Sequence, residues 1–511
     1  MKRIVSLVLA LAMVLSLCIF TTASADDGFV DGKFTETRHI TVEVYNRYND
    51  GGSDPTSSVY AQYIKQGMLD KYNVDVELVS VGRWTEVDDL NNLLATGDAP
   101  DVCVTYSYPT IQTFAGMGGI IDLNPLLTEY KDLLPDLWAL LGDYNIYYDQ
   151  DPETGSVWAI EAVLAESARI NTFIRKDWLD KLGLKIPTTE AEFHDCLVAF
   201  RDNAELLNVS KVPEDVSDET LYVYGYDDRH LLYPNYKEGI RVLNQWYNEG
   251  LIWKDFALYT DASVEDDMMK SGFVGAFIHN WDYPYRNGED SIQANLTRAN
   301  GADAGFIAVD CFQNDAGITR KYLADRIDRK VFFPATNDEP LASLLYLNFI
   351  SSEETIKFLQ TGKEGVTYKM TDNGAYEMLN ATGEWIMNSG MNIDHTITVN
   401  GLYLGDATAA TKALSYPGVN PDFIITANTY GKLNGRIVKK FSCGAISAEE
   451  DVGTSLNSKR DAMLTQAVVA PVDQFDSVYD KGMADYLASG GQNIIDERRE
   501  KLEAIYGVHV D

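Results

Sequence analysis

Hydrophobic and polar positions near the start of the chain follow first the period of a strand and then that of a helix. His39 to Tyr45 (HITVEVY) predicts a strand, Thr56 to Tyr72 a helix, and Val74 to Val79 a second strand. A loop rich in Gly, Asp and Asn, Asn46 to Pro55, joins the first strand to the helix. This β-α-β order predicts a sheet with parallel strands.

The next elements continue the pattern. Thr85 to Ala95 has apolar residues at helical spacing and stops at Gly97, and Asp101 to Tyr106 is a nearly continuous apolar strand. Ligands of open α/β sheets bind beyond the carboxyl ends of strands. We therefore expect the residues after two strand ends to face a ligand, namely Tyr45, Arg47, Tyr48, Tyr106 and Tyr108. The alternative, that such tyrosines pack at the edge of the core, stays open.

A second set of alternating elements begins near residue 168. Ala168 to Arg175 and Phe273 to His279 predict strands, and the second delivers Asn280, Trp281, Asp282 and Tyr283 to its carboxyl end. Helix signals lie between them: Asp177 to Leu182 before Gly183, Thr189 to Glu192 as a capping box, and Tyr236 to Glu249 before Gly250. The sequence thus predicts two α/β units, each with a mainly parallel sheet flanked by helices.

The first residues predict export. Lys2 and Arg3 precede an apolar run from Ile4 to Phe20, and Ala23-Ser24-Ala25 fits a signal peptidase site. Residues 1–25 are therefore predicted to be a signal peptide, and the mature chain to be extracellular or associated with the cell envelope. Cys18 suggests a lipid anchor, but the bulky Leu17 before it is a poor match to an acylation site, so the anchor stays open.

Composition and charge narrow the class of protein. The 511 residues are 45% hydrophobic and 23% charged, which is typical of a folded protein. Lys and Arg number 42 against 77 Asp and Glu, so the net charge of −35 excludes nucleic acid as an expected partner. Four cysteines remain after cleavage, without a CxxC pair, and are expected to be buried free thiols: Cys103, Cys196, Cys311 and Cys443.

The motifs of many enzymes are missing. The chain has no HExxH, GxSxG, GxxxxGK[ST] or GxGxxG pattern, and no cofactor or metal site is predicted. Glycoside hydrolysis stays open, because it needs only two carboxylates and no pair stands out among 77 acids. The acids of Asp149 to Gly155 suggest a calcium loop, but a later bidentate Glu is missing, and a solvated turn is favoured.

Several segments together resemble a known family, the extracellular solute-binding proteins of ABC importers (family 1, maltose-binding-like, the long Gram-positive type). The matching segments follow one another over nearly all of the mature chain: Leu94 to Val102 (LATGDAPDV), Tyr106 to Leu127, Arg175 to Gly183 (RKDWLDKLG) with Pro187-Thr188-Thr189, the segment around Trp281, Gly362 to Tyr368 (GKEGVTY), and Tyr486 to Arg498. The residue before Cys18 departs from the acylation pattern of most such Gram-positive proteins.

The resemblance implies a fold of two α/β lobes that close on a ligand like a clamp, the type II architecture of periplasmic binding proteins. Lobe 1 is expected to comprise 38–163 with about 315–400, and lobe 2 about 164–314 with about 401–511. The first hinge crossing should lie between Val157 and Arg169. The implied function is capture of an oligosaccharide by a monomer and its delivery to the permease subunits of an ABC transporter, without turnover. An exported carbohydrate-active enzyme and a sensory sugar-binding module are the alternatives.

Aromatic residues supply the remaining ligand candidates. The chain has 30 Tyr, 19 Phe and 8 Trp, and rings that carry a polar group suit the mixed faces of sugars. Trp281, with Asp282 and Tyr283, matches the family position whose ring stacks on a sugar; a packed core tryptophan is the alternative. The other candidates are Trp84, at the rim or in packing, and Trp158 and Arg169 near the hinge. Arg169 either bridges a ligand to a hinge acid such as Glu161 or Glu166, or forms a salt bridge within the hinge.

Overall fold

A computed structural model shows how these segments fold. It describes residues 28–47, 53–203, 234–258, 262–286, 288–312, 322–370, 376–404, 419–437, 446–450 and 452–507. The predicted signal peptide (residues 1–25), Tyr48 and Cys443 lie outside these ranges. No helix among the described residues has the length and apolarity needed to cross a bilayer.

The strands are short apart from two near the start of the chain. In chain order they are β1 (Phe29–Val30), β2 (Lys33–Phe34), β3 (Arg38–Asn46), β4 (Val74–Gly82), β5 (Cys103–Thr105), β6 (Ile160–Leu164), β7 (Ile170–Arg175), β8 (Ala276–Asn280), β9 (Phe306–Val309), β10 (Tyr322–Leu323), β11 (Ile327–Phe332), β12 (Tyr368–Met370), β13 (Tyr376–Met378), β14 (Val399–Asn400) and β15 (Arg436–Ile437).

The α-helices separate these strands and cover the sheets. They are α1 (Val59–Tyr72), α2 (Glu86–Thr96), α3 (Tyr108–Gly116), α4 (Asn124–Glu129), α5 (Pro135–Ile146), α6 (Lys176–Leu182), α7 (Glu190–Asp202), α8 (Pro234–Glu249), α9 (Ala262–Ser271), α10 (Ile292–Asn300), α11 (Pro340–Ile350), α12 (Glu353–Thr361), α13 (Pro421–Lys432), α14 (Ser447–Glu450), α15 (Gly453–Val469), α16 (Phe475–Tyr486) and α17 (Gln492–Tyr506).

The predicted helix boundaries are confirmed where the sequence has a stop or a cap. Gly97 and Gly183 end α2 and α6 in the left-handed conformation, with φ of 75° and 67°, which a glycine adopts without strain. Thr189 opens α7, and its hydroxyl accepts a hydrogen bond from the backbone N–H of Glu192. These local signals fix the ends of elements without help from tertiary contacts.

The first sheet combines parallel and antiparallel pairs. β3 pairs in parallel with β4, and a parallel bridge between Val42 and Val102 brings the start of β5 to the other side of β3. β11 then lies antiparallel between β5 and β6, and β14 pairs in parallel with β6. The predicted β-α-β unit is therefore present, and the parallel part of the sheet consists mainly of β3, β4 and β5.

The second sheet differs from the parallel arrangement that was expected. β7 is its central strand and pairs antiparallel with both β8 and β9. The chain between β7 and β8 includes α6, α7, α8 and α9. A parallel pair is typical of two strands joined by a single crossover helix, and that condition is not met here. β8 and β9 flank β7 and run parallel to each other, joined through α10.

The buried side chains form separate cores for the two lobes. One core combines residues 34–163 with residues 331–399. Two further clusters draw on residues 168–312 and on segments after residue 400. The β12–β13 hairpin is an exception in the earlier segment, since Tyr368 and Tyr376 pack with the second of these clusters. Cys103, Cys196 and Cys311 are buried free thiols, as predicted.

Neighbouring segments connect the first core to the second. They are 164–169, 322–326 and 400–404. Backbone hydrogen bonds hold them side by side: the N–H of Ala165 donates to the carbonyl of Asn400 at 2.8 Å, and the N–H of Ala324 donates to the carbonyl of Ser167 at 2.9 Å. Such a bundle of extended connections can bend with little loss of buried surface, as a hinge requires.

Candidate functional site

Aromatic and basic side chains follow the carboxyl ends of β3, β4 and β5. Arg47 follows β3, Arg83 and Trp84 follow β4, and Tyr106 follows β5. Parallel strands present their carboxyl ends at one edge of a sheet, so these residues lie together. Together with Tyr45, the second-last residue of β3, these four residues form what we call the ring platform.

Stacked rings and guanidinium groups build the ring platform. The guanidinium carbon of Arg83 lies 3.9 Å from the ring centroid of Tyr106 and 5.1 Å from that of Trp84. Tyr45 and Tyr106 stack with their centroids 6.1 Å apart. Cations over ring faces are attracted by the ring quadrupole, and here they hold the layers in place.

Exposure separates the rings of the platform into a support and a contact surface. Tyr45 is completely buried, and its hydroxyl donates to the carbonyl of Val104 at 2.8 Å. Tyr106 is half-buried. Trp84, in contrast, is 66% exposed. Of the candidates that lie within the described residues, Trp84 therefore offers the largest open aromatic face, whereas Tyr45 supports the platform from below.

Glu86, which the sequence did not single out, locks the platform to helix α2. Its carboxylate is buried and accepts hydrogen bonds from the Thr105 hydroxyl at 3.0 Å and from the backbone N–H of Tyr106 at 2.9 Å. The other oxygen lies 3.1 Å from Nη1 of Arg83. Glu86 therefore fixes the end of β5 and balances the charge of Arg83.

Asp394 holds the platform from the distant segment before β14. Arg47 donates to both oxygens of its carboxylate, at 2.7 and 2.9 Å, and the Asp394 side chain has no exposed surface. Arg329 is fully buried and lies 3.9 Å from the same carboxylate, with its guanidinium carbon 5.8 Å from the Tyr106 ring centroid. Sequence reasoning missed both Asp394 and Arg329, because neither belongs to a motif or follows a strand end.

Trp281 lies at the carboxyl end of β8, but its side chain is packed. It is 7% exposed and belongs to a core cluster of the second lobe with Ala168 and Ala427. Its backbone N–H donates to the carbonyl of Arg169 at 2.9 Å. The packed alternative considered for this residue thus fits its surroundings better than an open stacking face does.

Tyr283 and Asp282 lie beside Trp281 and are half-buried. The Tyr283 ring stacks on His279 with the centroids 3.4 Å apart, and its hydroxyl donates to Asp266 at 2.6 Å. Burial, helped by the positive charge of Arg286, lowers the pKa of His279 to about 3. His279 therefore stays neutral over the physiological range and adds no charge to this part of the second lobe.

The hinge candidates occupy different environments. Trp158 is half-buried against the small cluster that contains Phe114. Arg169 is exposed and forms no ion pair within the part of the chain that the structure describes. The expected pairing of Arg169 with a hinge acid is wrong, since Glu161 lies 3.1 Å from Lys330 and Glu166 lies 2.7 Å from Lys432.

Tyr108 and the Asp149 loop meet near the start of α3. The Tyr108 hydroxyl lies 3.4 Å from the carbonyl oxygen of Asp149. In the loop, Asp151 accepts hydrogen bonds from the backbone N–H groups of Glu153 and Thr154, at 2.8 and 2.9 Å. This is the geometry of an Asx-stabilised turn, which the sequence favoured over a calcium loop.

Glu161 makes the stability of this region depend on pH. It is buried on β6 beside Asp149, and burial raises its pKa well above the usual 4.5, with the neighbouring Asp149 adding to the rise. A carboxyl group with a raised folded-state pKa contributes stability that is complete below its unfolded pKa. That stability is lost as the pH rises toward the folded pKa.

We expect Glu161→Gln to flatten the pH dependence of unfolding above about pH 5. The amide resembles the protonated acid and does not titrate, so the variant should lose at least about 1.4 kcal/mol less than the wild type between about pH 5 and about pH 8. Urea unfolding at both pH values measures this. Glu129→Gln, at an exposed acid, is the control and should follow the wild type. Equal losses in wild type and Glu161→Gln would contradict the prediction.

No known family profile matches the chain, but individual proteins do. Lipoprotein LipO of Bacillus subtilis is 23% identical over 334 residues, 60% of this chain and 64% of LipO, so the chain covers slightly less than two thirds of that relative. The polygalacturonan/rhamnogalacturonan-binding protein YtcQ of the same organism is 19% identical over 461 residues, 84% of this chain and 86% of YtcQ. The fructooligosaccharide ABC transporter substrate-binding protein FusA of Streptococcus pneumoniae is 25% identical over 233 residues, 39% of each chain.

Solved structures of low sequence identity share the fold over more than nine tenths of the chain. Alginate-binding protein AlgQ2 without calcium ion aligns with a TM-score of 0.64 and 16% identity over 94% of this chain and 99% of AlgQ2. FusA in complex with kestose aligns with a TM-score of 0.64 and 13% identity over 92% of this chain and 100% of FusA. These matches confirm the two-lobed α/β fold, and the sequence relatives confirm the resemblance to substrate-binding proteins.

Proposed function

We infer that this chain is an exported oligosaccharide-binding protein that captures its ligand between two lobes and delivers it to the permease subunits of an ABC transporter. The observation that carries the proposal is the exposed Trp84 ring on a preorganised platform at the carboxyl ends of parallel strands. The fold supports the same function, and so does the similarity to YtcQ and FusA, which are named as a polysaccharide-binding protein and as a transporter substrate-binding protein.

The chemistry of the ring platform suits a sugar. The C–H face of a pyranose or furanose ring packs on an indole, and its hydroxyl groups need donors and acceptors around the stacked ring. Arg47 and Arg83 lie within 6.0 and 5.1 Å of the Trp84 centroid and carry N–H donors at its edge. Because these arginines are held by carboxylates, little side-chain entropy is lost when a ligand binds.

The architecture supports a clamp rather than an enzyme. A glycosidase needs one carboxyl group as acid and another as base or nucleophile. The platform carboxylates Glu86 and Asp394 are each engaged by an arginine, so neither is presented as a proton donor. YtcQ and FusA, to which the chain is similar, are both named as binding proteins. A sensory role would use the same site, and genes for a receptor kinase beside this one would favour it over transport.

The remaining assignments belong to the same proposal. Lobe 1 comprises 38–163 with about 315–400, and lobe 2 comprises about 164–314 with about 401–511; the separate buried cores support this division. The mature chain is proposed to begin at Asp26 and to act as a monomer. Acylation at Cys18 remains the alternative to free release.

Trp84→Ala tests the function and the site together. We expect the wild-type chain to gain thermal stability with its oligosaccharide, and the glycan to be recovered unchanged. Loss of the stacked ring should weaken binding by about 30-fold, the equivalent of about 2 kcal/mol. Calorimetric titration measures the affinity. Met117→Ala, which is 68% exposed at the opposite end of α3 from Tyr108, is the control and should bind as the wild type does. Equal affinities of Trp84→Ala and wild type would contradict the site, and a cleaved glycan would contradict the function.

A further inference from the structure

We propose that the ligand is an uncharged glycan and that the site discriminates against uronates. This inference rests on the proposed function and concerns the charge of the ligand at the same site. The feature behind it is the pairing of charges around the ring platform, where each arginine already faces a carboxylate of the protein.

The charges balance within a small set of residues. Arg83 lies 3.1 Å from Glu86, and Arg47 donates from Nε and Nη2 to the two carboxylate oxygens of Asp394 at 2.7 and 2.9 Å. Arg329 lies 3.6 Å from Asp328 and 3.9 Å from Asp394. The positive charges of Arg47, Arg83 and Arg329 thus equal the negative charges of Glu86, Asp328 and Asp394, and the net charge is zero.

The two Nη atoms of Arg329 also donate to the protein. Its Nη1 donates to the carbonyl of Ile393 at 2.8 Å, and its Nη2 donates to the carbonyls of Thr396 and Val399 at 3.2 and 2.9 Å. The fully buried guanidinium therefore cannot turn toward a new anion without leaving carbonyl groups unpaired. Its role is to support Tyr106 from behind.

A carboxylate stacked on Trp84 would lose hydration without gaining a free cation. Removal of an ion from water is expensive, and the loss is recovered only by a partner whose charge is not already compensated. The net charge of −35 adds a repulsion that slows the approach of anions at low salt. A neutral sugar meets neither penalty, and its apolar face gains the same contact with the indole.

Among the candidates named from the sequence, Arg169 is the one cation within the described ranges that this balance does not include. It is exposed at the hinge and forms no ion pair within the described ranges. If the site used an uncompensated cation at the hinge to select acidic sugars, Arg169 would be the residue to supply it. A variant at this position therefore identifies the source of any affinity for uronates.

The test compares each neutral glycan with its own C6-oxidised form. An array of neutral and uronate oligosaccharides of equal lengths is probed with the full mature chain, and hits are titrated calorimetrically with both forms. We expect the neutral form to bind at least about tenfold more tightly, with an affinity that hardly changes with salt, because no ion pair is screened. Uronates that bind as tightly as neutral glycans would overturn the inference, and loss of their binding in Arg169→Gln would assign the charge to the hinge. Binding to no glycan at all would instead contradict the proposed function, and the inference with it.

Glu86→Gln provides the matched charge change on the platform. The amide keeps the shape of the side chain but leaves Arg83 without its carboxylate. We expect this variant to narrow the preference for the neutral form by about tenfold, because one cation becomes available. An unchanged preference in a variant that still binds the neutral form would overturn the argument from charge balance. Circular dichroism and a thermal melt establish that the variant is folded before titration.

Discussion

Replacing Asp394 by alanine is expected to lower the free energy of unfolding by about 3–5 kcal/mol. The substitution leaves Arg47 without its bidentate partner and removes the carboxylate that faces the buried Arg329. An unpaired charge in a buried site is destabilising because neither water nor a counter-charge replaces the lost partner. Urea unfolding, monitored by circular dichroism, measures the change.

Two further variants separate this effect from the general loss of an acid. Asp338→Ala, at an exposed acid in the same lobe, should stay within about 0.5 kcal/mol of the wild type. Arg47→Met combined with Asp394→Ala should be less destabilised than the sum of the single variants, because the two side chains interact directly. An Asp394→Ala protein that unfolds within about 1 kcal/mol of the wild type would show that the pair contributes little.

The local pattern of the sequence predicted the parts of the site that depend on strand ends. Arg47 and Tyr106 were expected to face a ligand because each follows a strand, and β3, β4 and β5 do bring their carboxyl ends together. Glycine and capping signals set the helix ends for the same reason, since both act over one turn. A short-range sequence pattern therefore predicts a structural feature wherever the interactions that produce the feature are also short-range.

The supports of the platform could not be predicted in this way. Arg47 and Asp394 are 347 positions apart, and their contact depends on the return of the chain from the second lobe to the first. Arg329 lies on a strand whose other buried residues are apolar, where a charge has no periodic signal. The antiparallel second sheet was missed for a similar reason, because the path between β7 and β8 includes several helices.

The exposure of two tryptophans also depends on contacts between distant segments, which the sequence pattern does not predict. Trp84 and Trp281 both follow a strand and have polar neighbours, but the sequence made Trp281 the main stacking candidate and left Trp84 between the rim and packing. Their exposures of 66% and 7% differ because α13 covers Trp281. At Gly431 of that helix, an added Cβ would lie 3.2 Å from the Cβ of Trp281 and 2.9 Å from that of Ala168. A glycine 150 positions later in the chain thus lets α13 pack closely over Trp281.

Trp281→Ala is therefore expected to act on stability, with a loss of about 3–5 kcal/mol in the free energy of unfolding. Removal of a large buried ring leaves a cavity in the second-lobe core, next to the tightly packed contact with α13. Trp84→Ala is the matched control, because its exposed ring leaves no cavity and its stability should stay within about 0.5 kcal/mol of the wild type. Urea unfolding without ligand and calorimetric titration below the melting temperature separate the two effects. A Trp281→Ala protein of wild-type stability that has lost its affinity for the oligosaccharide would return the stacking role to Trp281.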